Sequence, residues 1–203
     1  MIINNFLSFL FKTPSVISVL RILNQRTAGS TGREIARLSS ITHRTAIKAL
    51  DNLEAFNLVK KRIVGKSYLY TINRNQYIYK EIIAIILKKE KEFQKKIFDS
   101  LKLIQCKNLV SVIIFGSVSR KEENIESDLD ICFIYSKTKK DIEEKVNILR
   151  DNLYEKYGIK LAPFYITEND FKLKAKKKKS PVNNIVKEGI VIRGKTLNRL
   201  VNG

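Results

Sequence analysis

Two aspartates placed two positions apart, Asp128 and Asp130, are the residues of this chain with the clearest capacity for chemistry. Side chains of a strand alternate between its two faces, so both carboxylates should project from one face, with Leu129 and Ile131 on the other. Two adjacent carboxylates repel each other, and a divalent cation between them removes that repulsion. Magnesium in particular binds through one or two carboxylates together with substrate phosphates. The pair therefore predicts a metal site for a phosphorylated ligand.

A glycine and a serine, Gly116 and Ser117, precede the aspartates and follow the apolar run Val112–Phe115, which is typical of a strand. Glycine lets the backbone approach a phosphate closely, and free N–H groups after a strand can bind an anion. The alternative is a β-hairpin with a polar, acidic loop. That alternative leaves unexplained why two acids stand at the start of the apolar strand Ile131–Tyr135.

Four features in this order resemble the signature of the polymerase-β-type nucleotidyltransferases, and most closely their small minimal subgroup: Gly116-Ser117, Arg120, Ser127 and Asp128-x-Asp130. The similarity covers roughly residues 80–195. It implies that the two aspartates are catalytic and bind Mg²⁺. It also implies that a nucleoside triphosphate is bound by the remaining residues: Gly116, Ser117, Arg120 and Ser127. Some minimal nucleotidyltransferases act as antitoxins that modify a partner toxin, so the resemblance adds a toxin-like protein to the expected partners.

The resemblance is incomplete at the third carboxylate. In the family, this acid lies on the next central strand, helps to hold the catalytic metal and activates the attacking hydroxyl. Here that strand is predicted at Ile159–Ile166, and neither of its faces carries an acid; Glu168 and Asp170 come only after it. The chain also has Lys121 where the family favours glycine. A general base contributes ~10²–10⁴-fold to a rate. We therefore expect nucleotide-magnesium binding with much of the transfer activity lost, and an active enzyme that moves NMP to a protein or RNA hydroxyl as the alternative.

The charge of the chain points to a polyanionic partner. Lys and Arg number 39 against 20 Asp and Glu, which leaves a formal net charge of +19. Release of counterions from phosphates favours the binding of such a surface to nucleic acid. The alternative is a lysine-rich solvated surface without a specific partner. Two distant cysteines, Cys106 and Cys132, predict neither a disulfide framework nor a zinc site, and they suit the reducing cytoplasm. Since no apolar run approaches ~18 residues, no membrane span is expected.

The stretch from Thr31 to Asn57 predicts two short helices joined by a tight turn. Thr31 and Glu34 fit a capping box at the start of the first helix. Thr42 can cap the second helix, along which apolar residues recur at intervals of three: Ile47, Leu50, Leu53 and Phe56. Asn57 suits a left-handed stop. Two short helices with such a turn are typical of a helix-turn-helix.

Two strands are predicted next, at Val59–Ile63 and Tyr68–Ile72, with a turn around Gly65. A hairpin after a helix-turn-helix is the winged-helix arrangement, and residues 33–73 are similar to winged-helix regulators of the MarR and ArsR kind. That resemblance implies double-stranded DNA as a partner, and regulators of this kind commonly act as homodimers on paired half-sites. The alternative is a module for protein contacts or dimerisation.

If the second helix enters a major groove, its first turns meet the DNA. We expect DNA contacts from that helix, from the wing and from the start of the preceding helix: His43, Arg44, Thr45 and Lys48; Arg62 and Lys66; Thr31 and Arg33. For each basic residue the alternative is an ordinary solvated charge. The predominance of basic over acidic residues on this face favours DNA.

The remaining pattern completes an α+β fold of two domains. Apolar residues at intervals of three and four predict one long helix, or two nearly continuous ones, from Gln76 to Gln105. Its isoleucine-rich first half could pack on the protein's own domains or form a dimer seam. After the aspartates, strands and helices alternate, which predicts a polymerase-β-like mixed sheet flanked by helices. We thus expect a winged-helix domain at 1–75, a connecting helix at 76–105 and a nucleotidyltransferase-like domain at 106–203.

Overall fold

The computed structural model describes residues 4–202, which form two compact units. The first unit ends at Glu92 and the second begins at Phe93, so the division lies inside the predicted connecting helix. Both units combine helices with a small sheet, and the expected α+β class is confirmed. Within the described range, no helix is both long enough and apolar enough to cross a membrane.

The first unit begins with helices and ends in a hairpin. Its elements are α1 (Phe6–Leu10), α2 (Pro14–Gln25), β1 (Ser30–Thr31), α3 (Gly32–Leu38), α4 (His43–Ala55), β2 (Val59–Val64) and β3 (Ser67–Ile72). The sheet has the antiparallel order β1-β3-β2. The two-residue strand β1, which pairs Ser30 with Tyr70, was not predicted because so short a segment has no periodicity of its own. Helix-turn-helix followed by a hairpin is the winged-helix fold.

The caps that the sequence predicts define the helix-turn-helix. The Thr31 hydroxyl accepts a hydrogen bond from the Glu34 N–H at 3.3 Å, and the Thr42 hydroxyl accepts one from the Thr45 N–H at 3.2 Å. Asn57 is left-handed with φ 55°, so the chain turns away after α4. The N-caps at Thr31 and Thr42 and the left-handed stop are confirmed. The predicted capping box is only half formed, because the Glu34 carboxylate accepts from Arg26 at 2.5 Å.

The long helix predicted from Gln76 to Gln105 is present, but its first turn is not α-helical. A five-residue π-helical turn at Tyr79–Ile83 precedes α5 (Ala84–Lys102), and the helix ends three residues before Gln105. The Tyr79 side chain is buried, and its hydroxyl donates to Oδ1 of Asn24 at 2.6 Å and accepts from Arg74 at 2.8 Å. These tertiary hydrogen bonds hold the first turn of the helix in the core of the first unit. A widened turn of this kind has no signature in apolar spacing.

The second unit is a four-stranded sheet between two helical layers. Its elements are β4 (Leu109–Ile114), α6 (Gly116–Arg120), β5 (Leu129–Tyr135), α7 (Lys140–Tyr157), β6 (Leu161–Thr167), α8 (Glu168–Lys176), α9 (Val182–Glu188), β7 (Ile190–Gly194) and α10 (Leu197–Asn202). The strand order is β6-β5-β4-β7, with β5 and β6 parallel and the other pairs antiparallel. The mixed sheet is therefore confirmed.

Alternation along the strands divides the core of this unit into two. Ile131 and Phe133 pack on one face with α7 and the end of α5, whereas Cys132 and Ile134 pack on the other with α8, α9 and α10. Burial raises the pKa of the Cys132 thiol to about 12, so this cysteine behaves as a core residue. Residues at the start of β5 that share the Cys132 face project toward the side covered by α9.

Candidate functional site

The two aspartates stand at the start of β5, as the alternation predicts. Asp130 is the second residue of the strand and is half-buried, and Asp128, just before the strand, is exposed. Leu129 and Ile131 are buried in the opposite core, which places both carboxylates on the Cys132 face. The charge of Asp128 acts on Asp130, so the two carboxylates are near neighbours.

Gly116 brings the backbone directly against this acid pair. Its φ is +72°, and a Cβ built on it would lie 3.1 Å from Cγ of Asp130 and closer still to the carboxylate oxygen Oδ2. The preceding residue, Phe115, donates its N–H to the Asp130 carbonyl at 3.1 Å. Only glycine tolerates both this backbone conformation and this approach. The glycine that begins α6 and the second aspartate therefore meet in the folded chain.

The segment that begins at Gly116 is the short helix α6. In α6 the Ser119 hydroxyl donates to the Gly116 carbonyl at 2.8 Å, and the Lys121 N–H donates to the Val118 carbonyl at 3.2 Å. These local bonds close the turn. The hydroxyl of Ser117 has no hydrogen-bond partner among the residues that the structure describes, so it is free to contact a ligand.

The electrostatics at Asp130 favour a cation. Burial raises the pKa of the Asp130 carboxyl, the neighbouring Asp128 raises it further, and Arg120 lowers it. A bound cation would offset both unfavourable contributions. Among residues 4–202 there is no cluster of three or more His, Cys, Asp or Glu side chains suited to a metal ion. A site with two carboxylates fits Mg²⁺ whose remaining ligands are water and substrate phosphates.

Arg120 lies near the acid pair and is already engaged. Its Nε donates to Glu122 at 2.7 Å, and its Nη1 donates to Glu188 at 2.6 Å. Ser127, also expected to bind nucleotide, closes the loop before β5, where its hydroxyl accepts from the Asn124 N–H at 3.0 Å. The Arg120–Glu188 pair was missed by sequence reasoning, because nothing in the pattern around Glu188 links it to a residue so distant in the chain.

The neighbouring strand offers no third carboxylate. Asp130 pairs in parallel register with Ala162, and the next residue of β6 on the same face is Phe164. Glu168, at the far end of β6, forms an ion pair with Lys195 at 2.5 Å, and Asp170 accepts a hydrogen bond from the Thr167 hydroxyl at 2.8 Å. These two acids belong to the opposite end of the strand and have other partners.

Lys121 occupies a conformation that suits glycine. It is left-handed, with φ 59° and ψ 38°, and it caps α6. This is the position where the chain departs from the nucleotidyltransferase pattern, which favours glycine. The backbone therefore keeps the geometry expected of glycine. A residue with a side chain, such as lysine, adopts this conformation at some cost in free energy.

In the first unit, the residues predicted to contact DNA lie on the surface. His43, Arg44, Thr45 and Lys48 are exposed along the first turns of α4, and Ala46, Ala49 and Leu50 on its other side are buried. Arg33 is exposed near the start of α3, where Thr31 is half-buried. On the hairpin, Arg62 and Lys66 are exposed, and the ammonium of Lys61 lies 4.2 Å from the centre of the Tyr68 ring. These basic and polar side chains are thus available to solvent on the helix ends and on the wing.

Comparisons with known proteins found matches to parts of this chain. The family model "Nucleotidyltransferase domain" matches residues 94–192. No curated protein matches the sequence. Similar solved structures include MepR, a transcription regulator of the Staphylococcus aureus multidrug efflux pump MepA, with 18% identity over 46% of this chain and 70% of that chain (TM-score 0.36). The zinc-responsive MarR family member ZitR of Lactococcus lactis has 17% identity over 70% and 76% (TM-score 0.34). A toxin-antitoxin complex with AMP-PNP has 17% identity over 53% and 80% (TM-score 0.37).

Proposed function

We propose that this chain, which joins a winged-helix domain to a nucleotidyltransferase domain, is a DNA-binding transcriptional regulator whose second domain binds a nucleoside triphosphate with Mg²⁺. The observation that carries the nucleotide half is the approach of Gly116 to the carboxylate of Asp130. The observation that carries the DNA half is the exposed basic surface on α4 and the wing.

The proposed DNA binding rests on the types of the exposed residues and on their positions in the first unit. Arg44 and Lys48 lie one turn apart on the exposed side of α4, where a helix in a major groove presents side chains to bases. Arg62 and Lys66 on the wing suit backbone phosphates. Gel-shift titration of the full chain against the promoter of its own operon tests this half. Failure to bind DNA even at low salt, where phosphate contacts are strongest, contradicts it.

The proposed nucleotide binding rests on the two carboxylates that could hold a metal ion. Asp128 and Asp130 would hold the metal, and Gly116 brings the backbone at the start of α6 directly against the Asp130 carboxylate. Mg²⁺, when bound, would neutralise charge on the phosphates. Calorimetric titration with AMP-PNP and MgCl₂ tests this half, with Asp128→Asn/Asp130→Asn as the control. Equal binding by the wild type and the double variant would place the nucleotide elsewhere.

A second candidate function, active transfer of NMP from NTP to a protein or RNA hydroxyl, is favoured by the intact acid pair. It lacks a third carboxylate on β6, where Ala162 stands beside Asp130. Incubation with labelled ATP, MgCl₂ and the product of a neighbouring gene tests it, since a toxin-like partner is the expected acceptor. Label transfer that persists in Asp128→Ala/Asp130→Ala excludes this site as its source.

Assembly and location are part of the same proposal. Ile85 and Ile86 remain 49% and 40% exposed on α5, although the neighbouring Ile83 and Leu87 are buried. Two exposed isoleucines on a winged-helix unit fit a homodimer seam. Ile85→Glu should then shift the sedimentation coefficient to that of a monomer. Cys106 and Cys132 are both free thiols, which agrees with a cytoplasmic protein.

A further inference from the structure

Glu188 is a half-buried acid that approaches the candidate nucleotide site from a separate element. Its carboxylate accepts from Nη1 of Arg120 at 2.6 Å, and its side chain is 23% exposed. The other partner of Arg120, Glu122, is 65% exposed and belongs to the loop after α6. Ion pairs that are shielded from water are screened less by salt than exposed ones, and Glu188 is the less exposed of the two partners.

The element that carries Glu188 is fixed to the sheet that carries the aspartates. Val182 and Ile185 of α9 are fully buried against the Cys132 face. At the end of the helix, a Cβ built on Gly189 would lie 2.8 Å from Cγ2 of Ile113 in β4. This close packing sets the position of the Glu188 carboxylate relative to the sheet.

Arg120 retains one free donor nitrogen in this arrangement. Nε and Nη1 are taken by the two carboxylates, and Nη2 has no partner among residues 4–202. The guanidinium also acts electrostatically on Asp130. The guanidinium of Arg120 is fixed by hydrogen bonds at Nε and Nη1, and Nη2 remains free, within the described chain, near the two carboxylates. This geometry pre-arranges Nη2 to donate to a phosphate oxygen.

We propose that Glu188 is a positioning residue, which holds the guanidinium of Arg120 beside Asp128 and Asp130 so that Nη2 contacts a phosphate of the bound nucleoside triphosphate. This inference rests on the proposed nucleotide site. Without the anchor, the Arg120 side chain must be ordered when the ligand binds, which weakens affinity. Removal of a negative charge by itself would favour an anionic ligand, so a loss of affinity in Glu188→Gln reports position and not charge.

The test is calorimetric titration of the full chain with AMP-PNP and MgCl₂. We expect Glu188→Gln to raise Kd by about 3- to 10-fold. The matched variant Glu122→Gln, which removes the same charge from the exposed partner, should change Kd by less than about 2-fold. In an Arg120→Ala background, Glu188→Gln should have no further effect, because the two act through the same contact. Circular dichroism verifies that each variant is folded.

The outcomes separate this inference from the function on which it rests. Wild-type protein that does not bind the nucleotide overturns both. Wild-type protein that binds it, with Glu188→Gln binding equally or more tightly, overturns only the role of Glu188, as does an undiminished effect in the Arg120→Ala background. Should Glu188→Gln fail to fold, Glu188→Asp keeps the charge and withdraws the carboxylate by one methylene. The same loss of affinity is then expected, and unchanged affinity overturns the proposal.

Discussion

Gly116 lies so close to Asp130 that no side chain fits between the backbone of α6 and the carboxylate of β5. The two residues are fourteen positions apart in the sequence and are brought together by the antiparallel pairing of β4 with β5, in which Ile114 faces Ile131. The contact places the Asp130 carboxylate beside the backbone at the start of α6. Nucleotide binding is inferred from this contact between Gly116 and Asp130.

Gly116→Ala should destabilise the second unit and abolish nucleotide binding. The left-handed conformation costs an alanine about 1–2 kcal/mol, and displacement of the Asp130 carboxylate adds about 1–3 kcal/mol. The matched control is Gly158→Ala in the same unit, where φ is +66° but no atom lies within 4 Å of the added Cβ. Urea unfolding measures both variants. Equal losses of stability in the two would mean that the carboxylate does not oppose a side chain at Gly116.

Asp130→Asn should stabilise the metal-free protein at pH 7. Burial and Asp128 raise the pKa of the Asp130 carboxyl in the folded state, so folding favours its protonated form. Stability from this residue is therefore present below the unfolded pKa of about 3.9 and is lost as pH rises through the higher folded value. The neutral asparagine removes that loss, and its advantage should vanish near pH 3. Thermal unfolding from pH 3 to pH 8 measures it, with the exposed Asp151→Asn as a control; an advantage independent of pH would contradict the assignment.

Lys121→Gly should stabilise the protein slightly without preventing nucleotide binding. A left-handed residue with a side chain costs about 1–2 kcal/mol, of which the greater freedom of glycine in the unfolded chain cancels about 0.5–1 kcal/mol. The net gain expected in urea unfolding is about 0.5 kcal/mol. By contrast, Lys172→Gly inside α8 should cost about 1 kcal/mol. A loss of stability in Lys121→Gly would indicate that the lysine side chain makes a favourable contact.

Arg62→Ala should weaken DNA binding uniformly across sequences. If the wing contacts a phosphate, loss of one cation lowers the slope of log K against log salt by about 1. Fluorescence anisotropy between 50 and 300 mM NaCl measures the slope, with Lys91→Ala on α5 as a variant of equal charge. An unchanged slope for Arg62→Ala, or an equal change for both variants, would remove the wing from the DNA surface.

Local features of this protein follow from its sequence because their causes lie within a few residues. The caps at Thr31 and Thr42 depend on an oxygen meeting an N–H three positions on, and the stop at Asn57 depends on that residue's own tolerance of positive φ. The shared face of Asp128 and Asp130 follows from the two-residue period of a strand. These patterns suffice to place the winged helix, the mixed sheet and the acid pair.

The contacts that complete the candidate site were decided by the tertiary structure. Which acid holds Arg120 depends on the packing of α9 against β4, and Glu188 has no local pattern that identifies it. The π-helical turn at Tyr79 depends in the same way on Asn24 and Arg74, and the residue beside Asp130 on β6 depends on the register of two parallel strands. A single sequence does not encode such long-range pairings in its periodicity, because many partners satisfy the same chemistry and only the folded chain selects one.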